Sequence, residues 1–359
     1  MVVDNPLLGT VLHSVGAMCA ALCYTPQQKL RGWTWQTYWV TQAAICWLIG
    51  PIIGALLTIP NIRTVLGQVP GRVMAGTFCL GVVYGVGGTA FGLSIRYIGY
   101  SLTYAIAIGI SCVLGTLTGP ILKNELQQML DKPGAGWVLG GIAVGTIGMV
   151  LCGLAGRLKE LDLQKDQGTD VSFSLAKGLP LCLLAGVLSG IYGIAINDVG
   201  KPLAEAAAEH GAGYWQTNIV YVFVNSGAFV TTFFYTLHLS FKQKTTREFV
   251  HLESGSSSRL VANYLLAILT GCLWYSQFLF YGLGHVRMGS FKFSSWAIHM
   301  ILLILFSTAA GLVLREWIGC RRKTHWALAA ALVVLIAAVL VLTYGNHLGE
   351  AAAQLAEAQ

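Results

Sequence analysis

Long apolar runs separated by short polar segments dominate the chain. Each run has about 20 residues, the length that an α-helix needs to cross the hydrocarbon core of a bilayer. Helices are expected rather than open strands, because strands in lipid leave backbone groups unpaired. The pattern predicts an all-α polytopic membrane protein with ten transmembrane helices, at 6–26, 36–58, 71–94, 101–122, 136–156, 175–197, 214–240, 259–283, 293–316 and 324–346.

The chain also repeats itself. A shift of 190 residues superposes Gly81 on Gly271 and Gly99 on Gly289, which matches the third helix to the eighth. An odd number of helices per half turns the second copy over, as in many secondary transporters. We predict two inverted five-helix repeats, although chance similarity of glycine-rich helices is an alternative. The predicted segments are a first repeat at 1–158, a cytoplasmic linker at 159–174, a second repeat at 175–346 and a short polar C-terminal tail at 347–359.

Composition agrees with a membrane protein. Of the 359 residues, 55% are hydrophobic and 10% are charged, against about 25% charged residues in soluble domains. The net charge of +7 comes from Lys and Arg in short loops, and these form no continuous basic face for nucleic acid. The chain also lacks a phosphate loop, a CxxC pair, an HExxH motif and a GxSxG motif. We therefore predict a lipid bilayer as partner, with no cofactor, no metal site and no enzymatic activity.

The distribution of positive charge predicts the orientation. Fifteen of the 22 Lys and Arg residues lie in the loops that follow odd-numbered helices. The remaining seven lie on the other side, and they are Arg63, Arg72, Lys123, Lys132, Lys201, Arg287 and Lys292. Because positive loops stay in the cytoplasm, both termini are predicted to be periplasmic in a bacterial inner membrane.

Two histidines stand out within the apolar runs. His13 in the first helix and His299 in the ninth are ionisable residues well inside a span, and such residues are functional candidates by default. At 1.5 Å per residue they lie roughly 10 Å and 9 Å below the outer surface, and Gln277 lies about 9 Å deep. Histidine titrates near neutral pH, so His13 and His299 are the predicted proton carriers. A purely structural role for either is the alternative.

Aromatic residues accompany the polar ones. Trp296 precedes His299 by three residues and Trp274 precedes Gln277 by three, so each pair shares a helical face. Such pairs suit a sugar, whose hydroxyls need hydrogen bonds while its C–H face lies against a ring. Packing of the tryptophans, and helix-to-helix hydrogen bonds by residues of the seventh helix, are the alternatives. The candidate substrate-binding residues are His13, Asn218, Tyr221, Trp274, Gln277, Trp296 and His299.

Several long segments are unlike general membrane composition. They are YTPQQKLRGWTWQTYW at 24–39, FGLSIRYIGYS at 91–101, WYSQFLFYGLGHVR at 274–287, SWAIHM at 295–300 and GLVLREW at 311–317. In these segments the chain resembles the L-rhamnose/proton symporters of the drug/metabolite transporter superfamily, from the first helix to the tenth. The resemblance implies periplasmic termini and proton-driven uptake of L-rhamnose or a related deoxysugar by alternating access. It departs from the family type at Gly88, where that type has Asn, and at Asp198, an unusual residue at the outer end of the sixth helix.

Other classes of function are weighed against this expectation. A drug or metabolite exporter of the same superfamily is the alternative, but cation exporters usually need a membrane carboxylate, and the predicted spans hold none in mid-membrane. A membrane-embedded enzyme is disfavoured because no nucleophile or carboxylate accompanies the histidines. The oligomeric state, the exact sugar and the proton stoichiometry are left open.

The charge distribution generates a topology prediction. Reporter domains fused to the N terminus and to the C terminus are expected to be accessible only from the periplasm, because the lysine- and arginine-rich loops hold the odd connections in the cytoplasm. A reporter fused within 159–174 is the control and is expected to be cytoplasmic. A terminus that is reached only from the cytoplasm contradicts both the orientation and the depths derived from it.

Overall fold

The fold is known from a computed structural model, which describes residues 3–167, 174–252 and 257–357. Within those ranges no strand occurs, and ten helices are long and apolar enough to cross a membrane. The predicted all-α class and the count of ten are confirmed. The helices are α1 (Pro6–Leu22), α2 (Trp35–Thr58), α3 (Gly71–Ile98), α4 (Tyr100–Leu122), α5 (Ala135–Gln167), α6 (Ala176–Glu209), α7 (Asn218–Lys242), α8 (Ser257–His285), α9 (Ser294–Val313) and α10 (Arg322–Glu357).

Helix α6 continues past its predicted end at residue 197 to Glu209, and helices α5 and α10 also extend beyond the predicted apolar runs. Helix α5 continues to Gln167, so the first part of the predicted linker is helical, while residues 168–173 lie outside the described residues. Helix α10 continues to Glu357 through most of the predicted polar tail. Both extensions are rich in Ala, Leu, Gln, Glu and Lys, which are strong helix formers. High intrinsic helix propensity therefore extends these two helices beyond the end of the apolar pattern.

Helices α2 and α6 contain irregular turns. Residues Ala44–Ile49 of α2 and Ala195–Val199 of α6 are π-helical. A π-helical turn inserts one extra residue into the helix and is frequently found at functional sites. In α2 the turn contains Trp47, which follows Trp39 by eight residues.

Packing divides the chain into two compact units. Unit 1 comprises Met1–Ala21, Gly87–Ile194 and Leu283–Gln359, and unit 2 comprises Leu22–Val86 and Ala195–Gly282. Each unit draws helices from both predicted repeats. The repeats are defined by sequence and the units by packing, so the repeat boundaries stay a prediction.

In unit 1, glycines allow α5 and α10 to approach closely. A Cβ at Gly141 would lie 2.6 Å from Leu342 Cγ, and one at Gly148 would lie 2.7 Å from Leu335 Cδ2. Distances this short leave no room for a side chain. Small residues at helix interfaces permit close backbone packing in lipid, and here they join the last helix of each predicted repeat.

In unit 2, glycines likewise allow α3 and α7 to approach closely. A Cβ at Gly81 would collide with the Val224 carbonyl group, and one at Gly227 would collide with the backbone of α3 at Phe78 and Val82. The two glycines face each other's helix, so the two backbones are in direct contact.

The connection after α7 is tied to the start of α2 within unit 2. Glu248 accepts hydrogen bonds on Oε2 from the backbone N–H of Thr34 at 2.8 Å, from Thr34 Oγ1 at 2.9 Å and from Thr37 Oγ1 at 2.7 Å. A carboxylate at a helix N-terminus satisfies free N–H groups and interacts favourably with the helix dipole. Glu248 thus caps α2, although it lies far away in sequence.

One contact in unit 1 recurs at the predicted repeat offset. Gly99 has φ 79° and Gly289 has φ 54°, and each lies shortly before a helix, α4 or α9. A Cβ at Gly99 would collide with the Glu160 carboxylate, and one at Gly289 would collide with the Glu350 carboxylate. Both pairs obey the same offset, since 289 − 99 and 350 − 160 each equal 190. The recurrence supports the repeat, and its inverted orientation remains a prediction.

These turns generate a stability prediction. Gly289→Ala is expected to destabilise the folded protein by at least about 1–2 kcal/mol, because a side chain with positive φ is strained and the Glu350 carboxylate occupies its space. Gly140→Ala is the control, because no atom would lie within 4 Å of its Cβ and alanine is the better helix former. Thermal unfolding in detergent should show a lower Tm for Gly289→Ala alone. Equal Tm values would contradict the strained geometry of the turn.

Candidate functional site

The two predicted histidines come together in unit 1. The ring centroids of His13 on α1 and His299 on α9 are 5.9 Å apart, with the ring planes at 70°. Both side chains are buried. A Cβ at Gly284, near the end of α8, would lie 3.0 Å from both Cε1 and Nε2 of His13. Three helices therefore meet at this imidazole, and His13 and His299, which the sequence places at similar depths, lie next to each other.

A third histidine, His285, adjoins the pair and was missed by the sequence analysis. Its Nδ1 lies 3.0 Å from Ser295 Oγ on α9, and it acts electrostatically on His13 together with His299. The positive charge of Lys292 in turn affects the protonation of His285. His285 was overlooked because the predicted eighth span ended at residue 283, whereas α8 continues through it. We name His13, His285 and His299 the histidine cluster.

Trp296 lies one turn before His299 but is bound to neighbouring helices. Its Nε1 donates to the Ser111 carbonyl oxygen at 3.0 Å and contacts Ser111 Oγ at 3.3 Å. Gly115 and Gly193 form a close-fitting surface for the indole, since Cβ atoms there would lie 2.6 Å from Cδ1 and 3.2 Å from Cδ2. The indole therefore anchors α9 against α4 and α6. This arrangement favours the packing role that the sequence left open.

Asn218 and Tyr221 of α7 lie in unit 2 and contact neighbouring helices. Asn218 Nδ2 donates to Thr58 Oγ1 of α2 at 2.9 Å. Tyr221 is fully buried, with its ring centroid 5.8 Å from that of Phe278, and its hydroxyl lies against Gly282. For Asn218 the observed hydrogen bond joins two helices, which corresponds to the alternative role considered for this residue.

Trp274 of α8 lies at the centre of an aromatic cluster in unit 2. Its ring centroid is 5.2 Å from that of Tyr24, 5.8 Å from that of Trp39 and 5.1 Å from that of Trp47. Tyr24 and Trp39 are stacked at 5.8 Å with planes 5° apart. We name Tyr24, Trp39, Trp47 and Trp274 the aromatic box. Gln277, one turn beyond Trp274, is largely buried.

Part of the aromatic box can be recognised from the sequence. Tyr24 and Trp39 are the first and last residues of the segment 24–39 that carries the family resemblance. Trp47 lies in an ordinary apolar run, and the packing of α2 against α8 brings it to Trp274. The signal that could have found it was the recurrence of Trp along α2, at 35, 39 and 47.

The predicted site residues therefore fall into two groups. His13, Trp296 and His299 belong to unit 1, and Asn218, Tyr221, Trp274 and Gln277 belong to unit 2. Unit 1 contributes titratable imidazoles, and unit 2 contributes aromatic faces and neutral hydrogen-bonding groups. The ten candidate spans in the described residues, with these two groups of buried polar side chains, are those of a polytopic α-helical membrane protein.

The particular family follows from comparison with known proteins. A family model described as L-rhamnose-proton symport protein (RhaT) matches residues 3–347. The chain is 32% identical over 343 residues to the L-rhamnose-proton symporter of Cronobacter sakazakii, covering 94% of this chain and 97% of that protein. The corresponding protein of an Enterobacter species is 33% identical over 342 residues, with 94% and 97% covered. That of Yersinia pestis is 31% identical over 346 residues, with 94% and 98% covered.

The chain belongs to the L-rhamnose-proton symport protein family. The family resemblance stated from the sequence segments is confirmed. Members of this family are transporters, not enzymes. Together with the ten candidate spans, the bacterial relatives support a multi-pass protein of the bacterial inner membrane.

Proposed function

We propose that the protein carries L-rhamnose or a related deoxysugar into the cell together with protons, by alternating access. The observation that carries this proposal is the match to the symporter family along nearly the whole chain, with residues 3–347 covered. Relatives named L-rhamnose-proton symporter share about a third of its residues. Both termini are proposed to face the periplasm, in keeping with the charge of the loops.

Each unit offers chemistry that this function needs. A sugar must be held by neutral hydrogen-bonding groups and aromatic surfaces, and unit 2 provides Trp274 and Gln277 on one face of α8. A proton must be held by a group that titrates in the physiological range, and histidine is the side chain whose ordinary pKa lies there. We therefore propose Trp274 and Gln277 as sugar contacts and His13 or His299 as the proton carrier. Trp296 is proposed to position His299 by anchoring α9.

The function is tested by transport. Purified protein in vesicles is expected to accumulate labelled L-rhamnose when the outside is made acidic, and to equilibrate it without accumulation when no pH gradient is imposed. A panel of deoxysugars and ordinary hexoses defines the substrate, and protein-free vesicles are the control. Accumulation that is indifferent to pH but requires another ion would overturn the proton coupling. Absence of any sugar uptake would overturn the function.

A second prediction concerns the proton carrier. Coupling is reciprocal, so protonation of the carrier must favour sugar binding as much as sugar favours protonation. The protonated form then binds sugar better, and affinity is expected to fall as the pH rises through the carrier's pKa. The titratable groups beside His13 are His299 and His285.

Replacement by glutamine separates binding from coupling. His13→Gln keeps a hydrogen-bonding side chain but removes the titration, so sugar exchange should persist while the accumulation ratio falls to about 1. His210→Gln is the matched control, because that imidazole bonds Gln68 at 2.9 Å outside the histidine cluster. His299→Gln is measured in parallel. If both cluster variants are folded and still concentrate sugar in response to a pH gradient, the proton is held elsewhere.

A further inference from the structure

Gln42 lies beside the aromatic box and is buried without a partner for its amide. The residue is fully buried, and neither Nε2 nor Oε1 forms a hydrogen bond with any residue that the structure describes. The indole N–H groups of Trp39 and Trp47 share this condition. Leaving a buried donor or acceptor unsatisfied costs about 1–3 kcal/mol, so each such group in a folded protein calls for an explanation.

These polar atoms belong to one region of unit 2. Gln42 follows Trp39 by three residues and Tyr38 by four, which places the three on one side of α2. Tyr38 donates to Thr270 Oγ1 of α8 at 2.7 Å, and Trp39 contacts Trp274 of α8. A Cβ at Gly271 would lie 2.8 Å from the Gln42 carbonyl oxygen. The backbones of α2 and α8 therefore touch at the level of Gln42, next to the box.

The chemical character of the region selects a class of ligand. The box and Gln42 together present aromatic faces, three indole N–H donors, the hydroxyl of Tyr24, and an amide that both donates and accepts. All of these side chains are neutral, so they suit a neutral polyol better than a sugar acid, a sugar phosphate or an amino sugar. A 6-deoxysugar has hydroxyls for the amide and indole groups and a methyl-bearing apolar face for the rings. The adjoining π-helical turn at Ala44–Ile49 is a further feature common at functional sites.

We propose that Gln42, Trp39 and Trp47 of α2, with Trp274 of α8, bind a neutral 6-deoxysugar, the amide and indole N–H groups contacting its hydroxyls. The inference rests on the proposed sugar transport and extends it to residues of α2. Gln42 is the specific anchor, because its amide offers both donors and an acceptor, and neither amide atom is bonded within the described residues. The rings of the box hold the sugar's apolar face.

A methionine substitution separates ligand binding from protein stability. Met has nearly the volume of Gln and no unsatisfied amide, so Gln42→Met should fold with an unchanged or higher Tm. If Gln42 holds a hydroxyl, the same variant should bind L-rhamnose at least about tenfold more weakly, a loss of about 1.4 kcal/mol. Trp47→Phe keeps an aromatic face and removes one N–H donor, and it should also weaken binding, by about tenfold or less.

Binding is measured by titration calorimetry on the full-length protein in detergent, beside Tm and gel filtration. Tyr38→Phe is the control, since it removes the bond to Thr270 on the same side of α2. It should lower the Tm and leave the affinity within about twofold. Gln277→Ala, which rests on the proposed function alone, is included for comparison.

Each outcome decides a different point. A wild-type protein that binds no L-rhamnose overturns the proposed function. Wild-type binding with unchanged affinity in Gln42→Met and Trp47→Phe overturns this inference alone, and means that water satisfies the buried groups. A Gln42→Met protein that unfolds also overturns it, because the amide must then have had a partner within the protein. Weakened binding at a preserved or raised Tm establishes Gln42 as a sugar-binding residue.

Discussion

The absence of water from the bilayer core is the constraint on which the rest of this structure depends. Every backbone N–H and C=O in the hydrocarbon must be satisfied within the protein, and a helix does so within its own segment. The backbone groups are then already paired within the helices, so groups that bind a ligand or a proton in the membrane come from side chains. Regular helices also need small residues where they touch, and glycines meet this need between α5 and α10 and between α3 and α7.

The same constraint applies to the few polar side chains that are buried inside the units. A polar side chain in this environment is stabilised only if it finds a partner, and Trp296 does so by donating to Ser111. The amide of Gln42 finds none among the described residues, so its burial lowers the stability of the empty protein. A ligand that supplies hydroxyls recovers this lost free energy on binding. Such a site is arranged before the ligand arrives, which reduces the entropy lost on association.

The two units separate the two kinds of chemistry that a proton-coupled sugar carrier requires. The histidine cluster lies in unit 1, whereas the aromatic box and Gln42 lie in unit 2. Helix α8 contributes to both, with Trp274 and Gln277 in unit 2 and Gly284 and His285 in unit 1. Reciprocal coupling between proton and sugar needs only that each ligand favours the same state of the protein.

The sequence by itself determined the helices, the class and the family, because apolar run length and helical period are local properties of the chain. It also brought His13 and His299 to one level, since depth follows from counting residues along helices. Trp274 and Trp296 show where this reasoning ends, because both precede a polar residue by three positions and the pattern treats them alike. Tertiary structure decided that Trp296 anchors α9 on Ser111, whereas Trp274 joins Tyr24, Trp39 and Trp47. Which faces of two helices meet depends on close approach at distant residues such as Gly115 and Gly271, and no local pattern encodes that pairing.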